Sequence, residues 1–159
     1  MQRDAGFTLI ELLVTLAVAI IIMTIAVPSF QGLMTTSRLA GDYNEILSGL
    51  NLARSEAIKR RESVSFEIIS DSPWEYRVYL TDAGNSEENA LRVRKKADTT
   101  ITVSDASIVV FGPLGKIDDG TDCDGSCSIE INHSTVECKA ILVSSFGRVA
   151  RDGGCADDN

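Results

Sequence analysis

The sequence predicts an α+β protein in which one long N-terminal helix, transmembrane in its first half and amphipathic in its second, packs on a C-terminal antiparallel β-sheet domain. Three observations carry this prediction. Residues 7–27, FTLIELLVTLAVAIIIMTIAV, are an almost unbroken apolar run. Beyond it Leu39, Tyr43, Ile46, Leu50, Ala53 and Ala57 recur at steps of three and four, the helical period. After Lys59 the period changes to two, in short stretches bounded by turn residues, as in strands.

The apolar run is long enough as a helix, roughly 30 Å, to span a bilayer core. It exceeds the apolar part of a secretory signal and no small-residue cleavage site follows it. Glu11 lies inside it, and a carboxylate there costs on the order of 2–3 kcal/mol of insertion, which makes it a functional candidate. Pro28 removes one internal hydrogen bond and should kink the helix. Gly32, Gly41 and Gly49 should weaken it. In the second half Arg38, Asp42, Glu45, Ser48 and Glu56 form the polar side opposite the apolar stripe. Leu52 lies about opposite Leu50, as a surface leucine or a contact to another subunit.

Strands are expected at 63–69, 74–80, 90–94, 100–103, 107–111, 128–131 and 139–144, with GRVAR at 147–151 after one phenylalanine. Asp71-Ser72-Pro73, Asp82 to Asn89 and Asp118 to Gly125 have turn or loop composition. With no internal repeat or low-complexity linker, the chain past the apolar run makes one domain.

The formal net charge is -8, and such a field repels phosphate-rich partners. Four cysteines, Cys123, Cys127, Cys138 and Cys155, lie in the last quarter. Behind a membrane segment this reads as two disulfides in an oxidising compartment. Zinc is the alternative, but the spacing is not paired C-x-x-C and His133 is the sole histidine. With a two-residue turn at Phe146-Gly147, flanked by Ser145 and Arg148, Cys138 falls opposite Cys155. Cys123 then pairs Cys127 by exclusion, one of three connectivities.

MQRDAG followed by FTLIELLVTLAVAI resembles the class III leader of type IV pilins and pseudopilins, at Gly6, Phe7, Thr8, Leu9, Ile10, Glu11 and Pro28. The resemblance implies that a prepilin peptidase cuts between Gly6 and Phe7 and methylates the new amine of Phe7. It also implies that Glu11 pairs with the N-terminal amine of a neighbouring subunit in a filament core. An unpaired buried carboxylate is expensive, so Glu11 would be satisfied only on assembly. LNLARSEAIKRRESVSF at 50–66, FGPLG at 111–115 and AILVSSFGRVAR at 140–151 are similar to the FimT/FimU group of minor pilins and to the H-type minor pseudopilin of type II secretion.

The organisation implied is a leader at 1–6, a transmembrane and filament-core helix half at 7–28 and a periplasmic globular pilin domain at 29–159. That domain comprises a helix half at 29–60 and a β domain at 61–159. The resemblance implies a non-enzymatic minor pilin priming or capping a type IV pilus, with other minor and major pilins as partners. It would sit as a single pass in inner-membrane lipid before entering a cell-surface pilus. No cofactor and no small-molecule substrate are expected, and G-x-S-x-G, Walker and H-E-x-x-H motifs are missing from the sequence. The alternative within the class is a minor pseudopilin of type II secretion.

The alternative of another class is a DNA receptor at the pilus tip. Some FimT-like proteins bind DNA through glycine, arginine, any residue, arginine. Here an extra residue separates Arg148 from Arg151, which puts them on opposite strand faces, and Asp152, Asp157 and Asp158 repel phosphate. The aspartates of DDGTDCDGSC, 118–127, invite a calcium reading but do not have EF-hand spacing. Lys59-Arg60-Arg61 suits a helix C-terminus, whose dipole favours cations.

Overall fold

The computed structural model describes residues 7–104, 108–118, 121–122, 125–151 and Cys155. The chain divides into two compact units, Met1–Ser37 and Arg38–Asn159. Helix α1, Leu9–Arg60, belongs to both and contains Pro28. In the first unit its large apolar side chains, Leu9 and Ile10 through Phe30, are exposed. By length and composition α1 can cross a membrane.

Among the described residues the second unit adds eight strands: β1 (Val64–Asp71), β2 (Trp74–Leu80), β3 (Ala90–Lys95), β4 (Ile101–Ser104), β5 (Ile108–Phe111), β6 (Ser126–His133), β7 (Val136–Ser144) and β8 (Val149–Arg151). They form two four-stranded antiparallel sheets, ordered β3-β2-β1-β5 and β4-β6-β7-β8. The chain enters the second sheet at β4, returns to the first at β5 and leaves it again for β6. Alternation tells which face of each sheet is inside. Trp74, Tyr76 and Val78 of β2, and Cys127, Ile129 and Ile131 of β6, are buried at steps of two.

The six stripe residues of α1, Leu39 to Ala57, are all buried and share one core with both sheets. Asp42 departs from the expected polar side, being only 1% exposed. Its carboxylate accepts from Lys96 Nζ at 2.6 Å and from Trp74 Nε1 at 3.1 Å. These partners offset the desolvation that would otherwise keep a carboxylate in water. Glu45 likewise accepts from Tyr76 Oη at 3.3 Å and from Arg94 Nε at 2.8 Å. The polar groups beside the stripe therefore tie α1 to β2 and the β3 end.

Gly49 has a packing reason. A Cβ there would lie 2.7 Å from the Tyr76 ring and 2.9 Å from Phe66. Helix propensity favours Ala over Gly by about 1 kcal/mol, yet overpacking a tight contact costs about 1–3 kcal/mol. Gly49→Ala is expected to destabilise the chain. Urea unfolding followed by the fluorescence of Trp74, the single tryptophan, measures this. A midpoint at or above wild type would contradict the close approach.

Two core tyrosines set an alkaline limit. Burial, and next the Glu45 carboxylate, push Tyr76 up to about 12. Burial, and next the hydrogen bond to Glu67, push Tyr79 up to about 12, with Tyr79 Oη donating to Glu67 at 2.6 Å. The folded chain thus holds these phenolic protons more tightly than the unfolded chain, where tyrosine titrates near ~10. Their stabilising contribution is whole below pH ~10 and falls as pH rises toward about 12. Denaturation midpoints across that window are expected to drop less steeply in Tyr79→Phe than in wild type.

Candidate functional site

The N-terminal end of α1 carries a reciprocal cap. Thr8 donates to Glu11 Oε2 from its backbone N at 3.1 Å and from Oγ1 at 2.9 Å. The Glu11 N–H donates back to Thr8 Oγ1 at 3.3 Å. This T-x-x-E pair is a capping box, in which side chains satisfy amides that the first helical turn leaves open. The chain itself thus supplies Glu11 with hydrogen-bond donors, while no cation among the described residues pairs with it. Both bonds to the side chain use Oε2, and Oε1 has no donor among the described residues. The spacing of Thr8 and Glu11 was the signal for this box. Phe7 is 86% exposed, whereas Gly6 lies outside the described residues. Pro28 lies within α1, in the first unit.

A second cluster joins three distant stretches of the second unit. Arg54 of α1 donates from Nε to the Gly115 carbonyl at 3.1 Å. The Ile117 N–H donates to the Ser145 carbonyl at 3.2 Å. Gly115 and Gly147 have φ of 70° and 71°, a region that favours glycine. A Cβ at Gly147 would run into the Gly115 carbonyl. The helix junction, the FGPLG loop and the SSFGR turn therefore meet at backbone contact distance, which linear reading did not foresee.

The last hairpin differs from the expected two-residue turn. Ile141 pairs Arg151, Leu142 pairs Ala150 and Val143 pairs Val149. Ser144 N donates to the Arg148 carbonyl at 3.0 Å, and Gly147 N donates to the Ser144 carbonyl at 2.6 Å. Ser145, Phe146 and Gly147 thus form a three-residue loop, with glycine supplying the left-handed position such loops need. This shifts the register by one, so Cys138 and Cys155 are not directly opposed. They are nevertheless joined, with Cα atoms 5.6 Å apart and Cys155 beyond the end of β8. Glu130 stands beside them, but sulfurs joined to each other offer no thiolate to a metal. Cys127 is also disulfide-bonded. The expected partner Cys123 lies outside the described residues, as does part of the aspartate-rich loop.

The two arginines of GRVAR have different surroundings. Arg148 is exposed. Arg151 donates to Asn44 Oδ1 of α1 at 3.3 Å and lies 5.8 Å from the Tyr43 ring centre. His133 is half-buried, its Nδ1 accepting from Thr135 N at 3.2 Å.

A helix bearing a capped carboxylate at the head of an unburied apolar half, joined to a β domain, defines a pilin-like protein. The family model for the prokaryotic N-terminal methylation motif matches residues 1–27. The model described as type II transport protein GspH matches residues 42–147, and the chain belongs to that family. Two fimbrial proteins of Pseudomonas aeruginosa are each 26% identical over 117 residues, 73% of this chain and 71% of theirs. Two crystal structures of the type IV minor pilin FimU of Pseudomonas aeruginosa share the fold. One has a TM-score of 0.56 at 20% identity, covering 69% of this chain and 88% of that one. The other has a TM-score of 0.58 at 18% identity, covering 77% and 98%.

Removing the observed bridge tests its structural weight. A disulfide of this kind typically contributes about 2–5 kcal/mol. Cys138→Ser with Cys155→Ser is expected to lower the thermal midpoint by several degrees. An unchanged midpoint would mean that the bridge is dispensable to the fold.

Proposed function

We propose that the chain is a minor pilin of the FimU/FimT type, which primes or caps assembly of a type IV pilus near its tip. Before assembly it resides in the inner membrane with its β domain in the periplasm. Prepilin peptidase cuts between Gly6 and Phe7 and methylates the Phe7 amine, and other minor and major pilins are its partners. The observation carrying this reading is Glu11, a carboxylate on an unburied apolar helix half that lies inside the matched methylation motif. The capping box holds the carboxylate toward the helix start and leaves Oε1 for an incoming amine. A neighbour's methylated amine is a cation of the right size to complete it, and the pair is tolerable where a lone carboxylate is not. Assembly then follows from a helix that is costly to keep in lipid and satisfied beside another of its kind.

The description of the matching family names type II transport, and this favours a second reading, a minor pseudopilin of a type II secretion system. The fimbrial relatives support the pilus. Deleting the gene separates the two: loss of pili with normal protein export supports the first reading, and the reverse supports the second.

Glu11→Ala removes the recruiting charge from the apolar half of α1, in the first unit. Pilus incorporation is expected to fall while the protein persists in the inner membrane and keeps its unfolding midpoint. Sheared pili and membranes, blotted for both proteins, give the answer. Equal amounts of the variant and wild type in the sheared fraction would remove the assembly role from Glu11.

A further inference from the structure

The second unit exposes three large apolar side chains together. Leu114 is 80% exposed, Phe146 70% and Ile58 49%. They are carried by neighbouring stretches, because Gly115 lies against the Ile58 side chain and Gly147 against the Gly115 carbonyl. Beside them Gly112, Pro113, Leu114, Lys116, Ile117 and Asp118 line a shallow hollow of about 200 Å³. The loops that carry these residues are pinned at their bases. Arg54 holds the Gly115 carbonyl, Ile117 holds that of Ser145, and Gly115 N donates to the Gly112 carbonyl at 2.8 Å. A surface ordered in advance loses little entropy when it is covered.

Charge indicates what covers it. The chain has 23 acidic and 15 basic residues, and Arg38, Lys59, Arg60, Arg77, Arg94, Lys95 and Lys96 each sit on a carboxylate. Arg54, Arg61, Arg92, Lys116, Lys139, Arg148 and Arg151 form no ion pair among the described residues, and of these Lys116, close to the Phe146 ring, and Arg148, two residues after Phe146, are exposed at this face. Lys116 Nζ instead lies 5.5 Å from the centre of the Phe146 ring. In so acidic a chain, cations left unmatched around an exposed aromatic suit an apolar partner surface edged with carboxylates.

We propose that the Ile58, Leu114 and Phe146 face docks a different subunit of the same filament, through an apolar surface edged with carboxylates. This rests on the pilin reading above and adds where the neighbour binds and what chemistry it presents. Apolar contact supplies the affinity, while Lys116 and Arg148 select an acidic rim and disfavour a basic one.

The test places p-benzoylphenylalanine at Phe146, and separately at Leu114, in the full-length chain in cells that make the filament. After irradiation, adducts are read in whole membranes by mass spectrometry, whether or not pili form. The expected adduct joins this chain to one other protein that carries its own N-terminal methylation motif. Lys116→Glu with Arg148→Glu is expected to cut that adduct at least fivefold, with the Trp74 unfolding midpoint unchanged. No adduct at either position, an adduct to lipid, to nucleic acid or to a second copy of this chain, or an adduct indifferent to the charge reversal would each overturn the proposal. The pilin reading fails separately. A proper adduct in cells whose pili and secretion survive deletion of the gene sinks that reading and leaves the docking surface standing.

Discussion

Everything in the second unit depends on one helical stripe serving two sheets. The sheets have separate strand orders. Leu39, Ile46, Leu50, Ala53 and Ala57 supply a common apolar wall, and residues of both sheets join them in one core. Small side chains matter as much as large ones on that wall. Gly49 lets the Tyr76 and Phe66 rings approach the helix backbone, and Ala53 and Ala57 are fully buried. The cost in helix propensity at Gly49 is repaid by contact area, since dense packing contributes through many weak contacts.

Polar anchors then fix the arrangement that apolar burial alone would leave loose. Hydrophobic packing is non-directional, whereas the Asp42 carboxylate with Lys96 and Trp74, or the Arg54 guanidinium with the Gly115 carbonyl, has one good geometry each. The first set ties the helix to the β2 and β3 side, and the second ties it to the loop after β5. Both contacts link residues far apart in sequence and index the first sheet against the helix, while Arg151 of β8, donating to Asn44 Oδ1, ties the second sheet to it.

The sequence made the elements legible and left their assembly dark. All eight strands lie where alternation and turn residues put them, within a residue or a few at each end. The stripe from Leu39 to Ala57 was legible because burial on a helix has a strict period. The division into two sheets was not, since the alternation of β4 and β5 says which face is inside and nothing about which strand is adjacent. Asp42 was misread as solvated because its partners, Trp74 and Lys96, come from another element. The last hairpin slipped by one residue because Phe146-Gly147 suits a two-residue turn as well as it suits the end of a three-residue loop. At the N-terminus Thr8 was passed over as part of a motif, although its spacing to Glu11 marks a helix cap.

The bridge between Cys138 and Cys155 has a mechanical meaning. β8 is short, Val149–Arg151, and is held to β7 through only three residue pairs. An edge strand of that size unzips one hydrogen bond at a time when its free end is pulled. Here tension applied beyond Cys155 passes through sulfur to Cys138 and leaves β8 inside a slack loop, because the two residues are 17 apart in sequence. The load enters β7, which is paired on both sides, by β6 and by β8. A strand loaded there must shear against its neighbours with many bonds resisting together, so a pull on the tail strains the centre of a sheet and spares its weakest edge.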